Sequence, residues 1–133
     1  MQAYVTEAVG TFFLVMVFGI SGDPLTVGLT LMALVYIGYP NSGAHFNPAI
    51  SLAFFLKKKL SLSDLFAYIF CQVVGAFFAS YLIFEFANSV FYLEPPIDTD
   101  LYEQVFSEVF FAAIFVSVML SLTLSNLHRK NQF

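Results

Sequence analysis

The chain has 133 residues, 59% of them apolar and only 11% charged, with a mean hydropathy of +0.83. A typical soluble domain is about a quarter charged, so this composition excludes a water-soluble enzyme, a nucleic-acid binder and a disordered tail. The net charge of −4 is sorted rather than spread: the five basic residues form two clusters, Lys57-Lys58-Lys59 and Arg129-Lys130, while Glu94, Asp98, Asp100 and Glu103 share one segment.

In chain order, the first apolar run, Val5 to Ile20, ends at the turn cluster Ser21-Gly22-Asp23-Pro24 and predicts a helix over about 4–21. Met1-Gln2-Ala3-Tyr4 has no basic region and Glu7 interrupts the run, so a cleaved signal is not expected. The second run, Leu25 to Tyr39, predicts a helix over about 25–40, stopped by Pro40-Asn41-Ser42-Gly43. Ala44 to Leu56 is shorter and broken by Asn47-Pro48. Two long runs follow, read as helices over about 62–88 and 104–125 and separated by an acidic loop with Pro95-Pro96. The lone Cys71 lies in an apolar run and reads as a small buried residue, with no disulfide or metal spacing around it.

A bilayer core of about 30 Å needs about 20 helical residues. The stretch before the lysines does not reach that length. If it enters and leaves on one side, four helices cross, both basic clusters lie inside, and Asp23 and the acidic loop lie outside, as the positive-inside rule asks. The expectation is an all-α membrane protein of four transmembrane helices and one re-entrant loop with a half-helix over 42–57, with both termini cytoplasmic.

Asn is a good N-cap and Pro is favoured at the first helical position, so Asn47-Pro48 starts the half-helix. From Pro48 to Leu56 it would span about 14 Å, half the hydrocarbon thickness. Asn41 to Phe46 would travel inward as extended chain, about 20 Å at most. Non-helical backbone at that depth is tolerated only against protein or a water-filled cavity.

Ser42-Gly43-Ala44-His45-Phe46-Asn47-Pro48-Ala49-Ile50-Ser51 closely resembles the first signature loop of the aquaporin and glycerol-facilitator family. Glu7-Ala8-Val9-Gly10-Thr11-Phe12-Phe13-Leu14 is similar to its first helix, and Gln72-Val73-Val74-Gly75-Ala76 to its third. The resemblance covers the chain but only the first half of the family pattern and its fourth helix. The second Asn-Pro-Ala triplet and the selectivity arginine do not appear. Counting the Glu7-to-Asn47 interval onward from Glu108 runs past Phe133, so the chain is expected to be a fragment or to work with a second chain.

The resemblance implies pore-lining roles for the Gly43, Ala44 and His45 carbonyls, for the Asn47 amide with Pro48 and Ala49, and for Val27 at an outer constriction. It implies loop-bracing roles for Glu7, Glu108 and Gln72. His45 could brace with its ring while its carbonyl faces the pore; Glu7, near the start of the chain, could instead reach the surface. The residues alone allow Asn47 to be a plain N-cap; its pore role rests on a half-helix N-terminus carrying about half a positive charge. Ala113, Ser117, Ser121 and Ser125, and Gly75 with Ala79, recur every fourth residue as faces for close helix packing.

The resulting expectation is a multi-pass channel of the cell membrane, passive, for water or small uncharged solutes such as glycerol. No catalytic residue, metal or cofactor is implied. The expected partners are lipid, a permeating water or polyol, and either further copies (a tetramer, by resemblance) or a second-half chain. Two other readings stand beside it: a non-conducting half-channel, and an ion-coupled four-helix transporter subunit. The clustering of the acids in one loop and the absence of mid-membrane basic residues weigh against the transporter.

Overall fold

The computed structural model describes residues 1–87 and 98–130, with backbone alone for Ala87 and 123–130. Glu94, Pro95-Pro96, the last residue of the 62–88 helix and the 131–133 tail lie outside the described residues, as do the Arg129 and Lys130 side chains. The described residues form five helices and no strand: α1 (Gln2–Ser21), α2 (Pro24–Ser42), α3 (Pro48–Leu56), α4 (Leu62–Ala87) and α5 (Leu101–Lys130).

Local chemistry sets most of the boundaries. Gly22, at φ 61°, takes the left-handed position that ends α1. Asp23 caps α2, its carboxylate accepting from the Thr26 N–H and hydroxyl, both at 2.7 Å, and Pro24 occupies the first turn. Ser61 caps α4 by accepting from the Asp64 N–H at 3.1 Å. α5 begins earlier than the apolar run alone predicts, because Asp100 already accepts the Gln104 N–H.

α2 corrects the sequence reading. It does not stop at Pro40 but continues to Ser42 and ends on Gly43, whose N–H donates to the Tyr39 carbonyl at φ 83°. A proline near a helix end forfeits only its own N–H bond there, so the helix persists until a residue that tolerates the left-handed turn.

The chain forms two compact units, Met1–Phe91 and Tyr92–Phe133. In the first, α1 packs on α2 and α4, and α4 on α3. The α1–α4 contact is close because Gly75 has no side chain: a Cβ there would fall 2.2 Å from the Ala8 carbonyl oxygen. Buried Ala79 continues that face one turn later. In the second unit, α5 turns the hydroxyls of Ser107, Ser117 and Ser121 back onto its own carbonyls.

The burial pattern is inverted relative to a protein in water. Glu7, Thr11, His45, Ser51 and Gln72 are buried, while Phe66, Phe70 and Phe77 on α4 are exposed. Polar groups inside and phenylalanines outside suit a lipid surround. Among the described residues three helices, over Gln2–Ser21, Leu62–Phe86 and Leu101–Leu122, are long and apolar enough to cross a bilayer. The chain is a membrane protein.

Candidate functional site

The site is the five-residue link between α2 and α3, together with the start of α3. It is not the extended strand that the sequence reading expected. Asn41 and Ser42 belong to α2, and Gly43, Ala44 and Phe46 have φ of 83°, 52° and 49°. For Ala and Phe that left-handed backbone costs on the order of 1–2 kcal/mol each. It persists because other groups hold it.

The main holder is Glu7, which is 0% exposed within α1. Its Oε1 accepts from the Ser42 hydroxyl at 2.6 Å and the His45 N–H at 2.9 Å. Its Oε2 accepts from the Phe46 N–H at 2.7 Å and the Gln72 side-chain NH2 at 2.8 Å. All four partners are donors, so each carboxylate oxygen is doubly satisfied. Such bonds offset the cost of an acidic group among apolar helices. Two consecutive N–H groups can meet one carboxylate only if the chain turns there, which is why the loop is not extended. Nor does Glu7 reach for the surface.

A second layer surrounds the first. The Gln72 NH2 also donates to Ser51 Oγ at 3.0 Å, and Ser51 Oγ lies 3.0 Å from His45 Nδ1. Tyr68 donates its hydroxyl to the Ser42 carbonyl at 2.8 Å. The His45 ring sits against Phe54 and Tyr68, with centroids 4.2 and 5.1 Å away. The Phe46 ring fills a slot left by two glycines: a Cβ on Gly10 would fall 2.1 Å from it, and one on Gly38 2.8 Å.

Asn47 caps α3 with its side-chain oxygen, which accepts from the Ala49 N–H at 2.8 Å. That assignment leaves the amide NH2 without a protein acceptor among the described residues. The helix end therefore carries a free donor beside the positive end of its dipole. Pro48 and Ala49 are exposed there, and Gly43 and Asn47 are partly exposed. Ala44 and His45 are buried; Val27 lies on α2, half-buried. Glu108 is exposed on α5, in the second unit, and Glu7 and Gln72 belong to the first.

Two adjoining cavities lie along α1 and α2. One, of about 230 Å³, is lined by Val5, Thr6, Gly10, Gly38, Asn41 and Phe46 among others. The other, of about 370 Å³, shares Val5, Thr6 and Asn41 and reaches Met1 and Gln2. Sequence reasoning did not single out Thr6 and Asn41, nor the bracing by Ser42, Ser51 and Tyr68. Only the positions of Ser42 and Ser51, at the two ends of the signature loop, hinted at any of these.

Comparison with known proteins places the chain in a family. The pattern of the major intrinsic protein family matches residues 18–132. An aquaglyceroporin of Rhizobium meliloti is 40% identical over 113 residues, covering 73% of this chain and 46% of its own. A glycerol uptake facilitator protein-like protein of Lactiplantibacillus plantarum is 34% identical over 101 residues, covering 68% of this chain and 46% of its own. Nodulin-26 of Glycine max is 34% identical over 94 residues, covering 60% and 35%. The chain thus spans between about a third and a half of the length of these relatives. With a buried glutamate holding the loop in front of an Asn-capped short helix, and a family pattern running over most of its length, the chain belongs to the major intrinsic protein family of membrane channels, which are not enzymes.

Proposed function

We propose that this chain supplies one half of a passive transmembrane pathway for water and small uncharged solutes such as glycerol. In this reading residues 1–133 act as one channel domain: α1, α2, α4 and α5 cross the bilayer, α3 enters and leaves on one side, and both termini are cytoplasmic. The observation that carries it is Asn47, whose oxygen is committed to the cap while its NH2 remains to donate to a passing oxygen. The positive end of a half-helix beside that donor disfavours cations and protons, as in the handling of charge by aquaporin-type pores generally. The Gly43, Ala44 and His45 carbonyls would receive hydrogen bonds from the permeant, and Pro48, Ala49 and Val27 would shape the wall. The cavities from Phe46 to Met1 support a route along α1 and α2.

Glycerol enters the reading through the names of two relatives, an aquaglyceroporin and a glycerol uptake facilitator-like protein. The complementary half comes from a continuation of the protein or from a separate chain. Glu108 would brace that half as Glu7 braces this one, and assembly into a homo-oligomer belongs to the same proposal.

Two measurements test it. Residues 1–133 fused to the second half of the Rhizobium meliloti aquaglyceroporin should give proteoliposomes that swell faster in water and glycerol than empty ones, without collapsing an imposed proton gradient. In a Cys71→Ser background, Asp98→Cys should be labelled by an impermeant reagent from outside intact cells and Lys58→Cys should not. Proton leakage through the fusion, or outside labelling at position 58, overturns the reading.

A further inference from the structure

α3 ends in a turn of unusual chemistry. The Lys58 N–H donates to the Phe55 carbonyl at 2.8 Å and the Lys59 N–H to the Phe54 carbonyl at 2.9 Å. These paired bonds, closing back over the last turn, form the Schellman motif, whose left-handed position is ordinarily glycine. Here Lys58 occupies it at φ 56°. Glycine would adopt that backbone freely, so the lysine side chain is kept at a conformational cost.

Lys57, Lys58 and Lys59 are all exposed. Among the described residues none of the three has a carboxylate partner. The nearest acid in sequence, Asp64, is already engaged by the Tyr4 hydroxyl at 2.7 Å and the Ser61 hydroxyl at 2.6 Å. Only Leu60 and Ser61 separate the lysines from Leu62, where the apolar span of α4 begins. That spacing sets the turn at the depth of lipid headgroups. On either side apolar side chains face outward: Leu56 is 69% exposed, Leu62 55% and Phe66 66%. Three unpaired ammonium groups thus stand beside an apolar surface running down into the bilayer.

We propose that the α3–α4 turn is a binding site for an anionic phospholipid, its phosphate held by Lys57, Lys58 and Lys59 and its acyl chains lying on Leu56, Leu62 and Phe66. The site differs from the loop held by Glu7 and needs no conduction. It adds to general surface attraction a turn whose backbone gathers three charges within three consecutive residues. Bound lipid would anchor the far end of the helix that carries Asn47 at its start.

The test uses the purified 133-residue chain in detergent, with lipid binding followed by native mass spectrometry. Phosphatidylglycerol and phosphatidylcholine with identical acyl chains are compared, and soluble glycerophosphoglycerol serves as a competitor without chains. The chain should prefer phosphatidylglycerol at least about tenfold, and each lysine neutralised should lower that preference by roughly fivefold. Lys57→Gln and Lys59→Gln leave the left-handed position untouched. Lys58→Gly removes the charge while easing the backbone, so a loss of lipid preference without loss of helicity separates binding from folding. Arg129→Gln with Lys130→Gln should leave the preference unchanged. Retained preference in all three single variants, equal loss in the Arg129 and Lys130 variant, or full displacement by the chain-free competitor would each overturn the proposal.

Discussion

The ring of Phe46 occupies the volume that a side chain on Gly10 would need, with Cε1 2.1 Å from where that Cβ would fall. Aromatic ring and missing side chain are complementary halves of one joint between the loop and α1. Gly10→Ala should therefore destabilise the fold by about 1–3 kcal/mol through overpacking. Adding Phe46→Ala should recover part of that loss, because the two changes act on one space. Unfolding midpoints of the single and double variants in detergent measure the coupling. Purely additive effects would show that the slot is not shared.

Glu7→Gln should unlock the loop. The amide keeps one acceptor but points an NH2 at a position now served by two donors. Losing such buried partners costs about 1–3 kcal/mol each. Amide hydrogen exchange at His45 and Phe46 should accelerate well before exchange in the α1 backbone does. Unchanged protection at both amides would count against Glu7 as the holder.

Asn47→Asp should leave stability nearly intact, because Asp caps as well as Asn, whereas Asn47→Ala should cost about 1 kcal/mol. In the conducting fusion the order reverses. A negative charge at the start of α3 weakens the barrier to cations, so Asn47→Asp should leak cations where Asn47→Ala leaks less. Full cation exclusion by the Asp variant would remove Asn47 from the pore centre.

Asp23 gives a pH dependence of definite sign. The Thr26 hydroxyl, and then the Thr26 N–H, hold its carboxyl below the ordinary value of 3.8. A group with a lowered folded value stabilises the fold above its unfolded value, and that contribution disappears as pH falls through the lower folded value. The start of α2 should fray below about pH 4 by this linkage, while Asp23→Asn, a cap without a charge, should not respond. Exchange at the Thr26 amide across an acid titration separates the two.

The 133-residue chain alone should conduct nothing above empty liposomes. It offers one half-helix, and a closed pathway needs polar backbone hidden from lipid on every side. Two copies could imitate an inverted pair only by inserting in opposite senses, which the inside preference of Lys57–Lys59 opposes. Substantial water flux from the purified chain would refute this.

Much of the site was legible because its signals are local. Asn47-Pro48 is a cap and first-turn pair that starts a helix wherever it falls, and α3 begins there. The end of α2 was misread for the same reason. A proline normally reads as a stop, yet the helix runs on to Gly43, the last residue of the same turn cluster. The left-handed Ala44 and Phe46 have no local signature at all, since neither residue prefers that backbone. Glu7 holds the loop through the His45 and Phe46 N–H groups, 38 and 39 residues away, and the Ala44 N–H donates to Ser42 Oγ, whose hydroxyl Glu7 also holds. The bracing roles of Ser51, which closes the signature loop, and of Tyr68 carry no local sign, because a serine and a tyrosine become bracing groups only when a fold brings partners to them.

The bond between Glu7 and Gln72 joins groups 65 residues apart, and that separation bears on how the protein enters its membrane. When Phe46 has been synthesised, Glu7 still lacks one donor, and α4, against which α3 rests, does not yet exist. Roughly two dozen further residues, a few seconds of translation at about 5–20 residues per second, must follow before Gln72 arrives. During that interval the short helix has no seat, and its polar loop needs water or the insertion machinery around it. The loop that Glu7 holds is therefore among the last parts of this half to settle. Its birth order, as much as its chemistry, makes α4 the element that completes it.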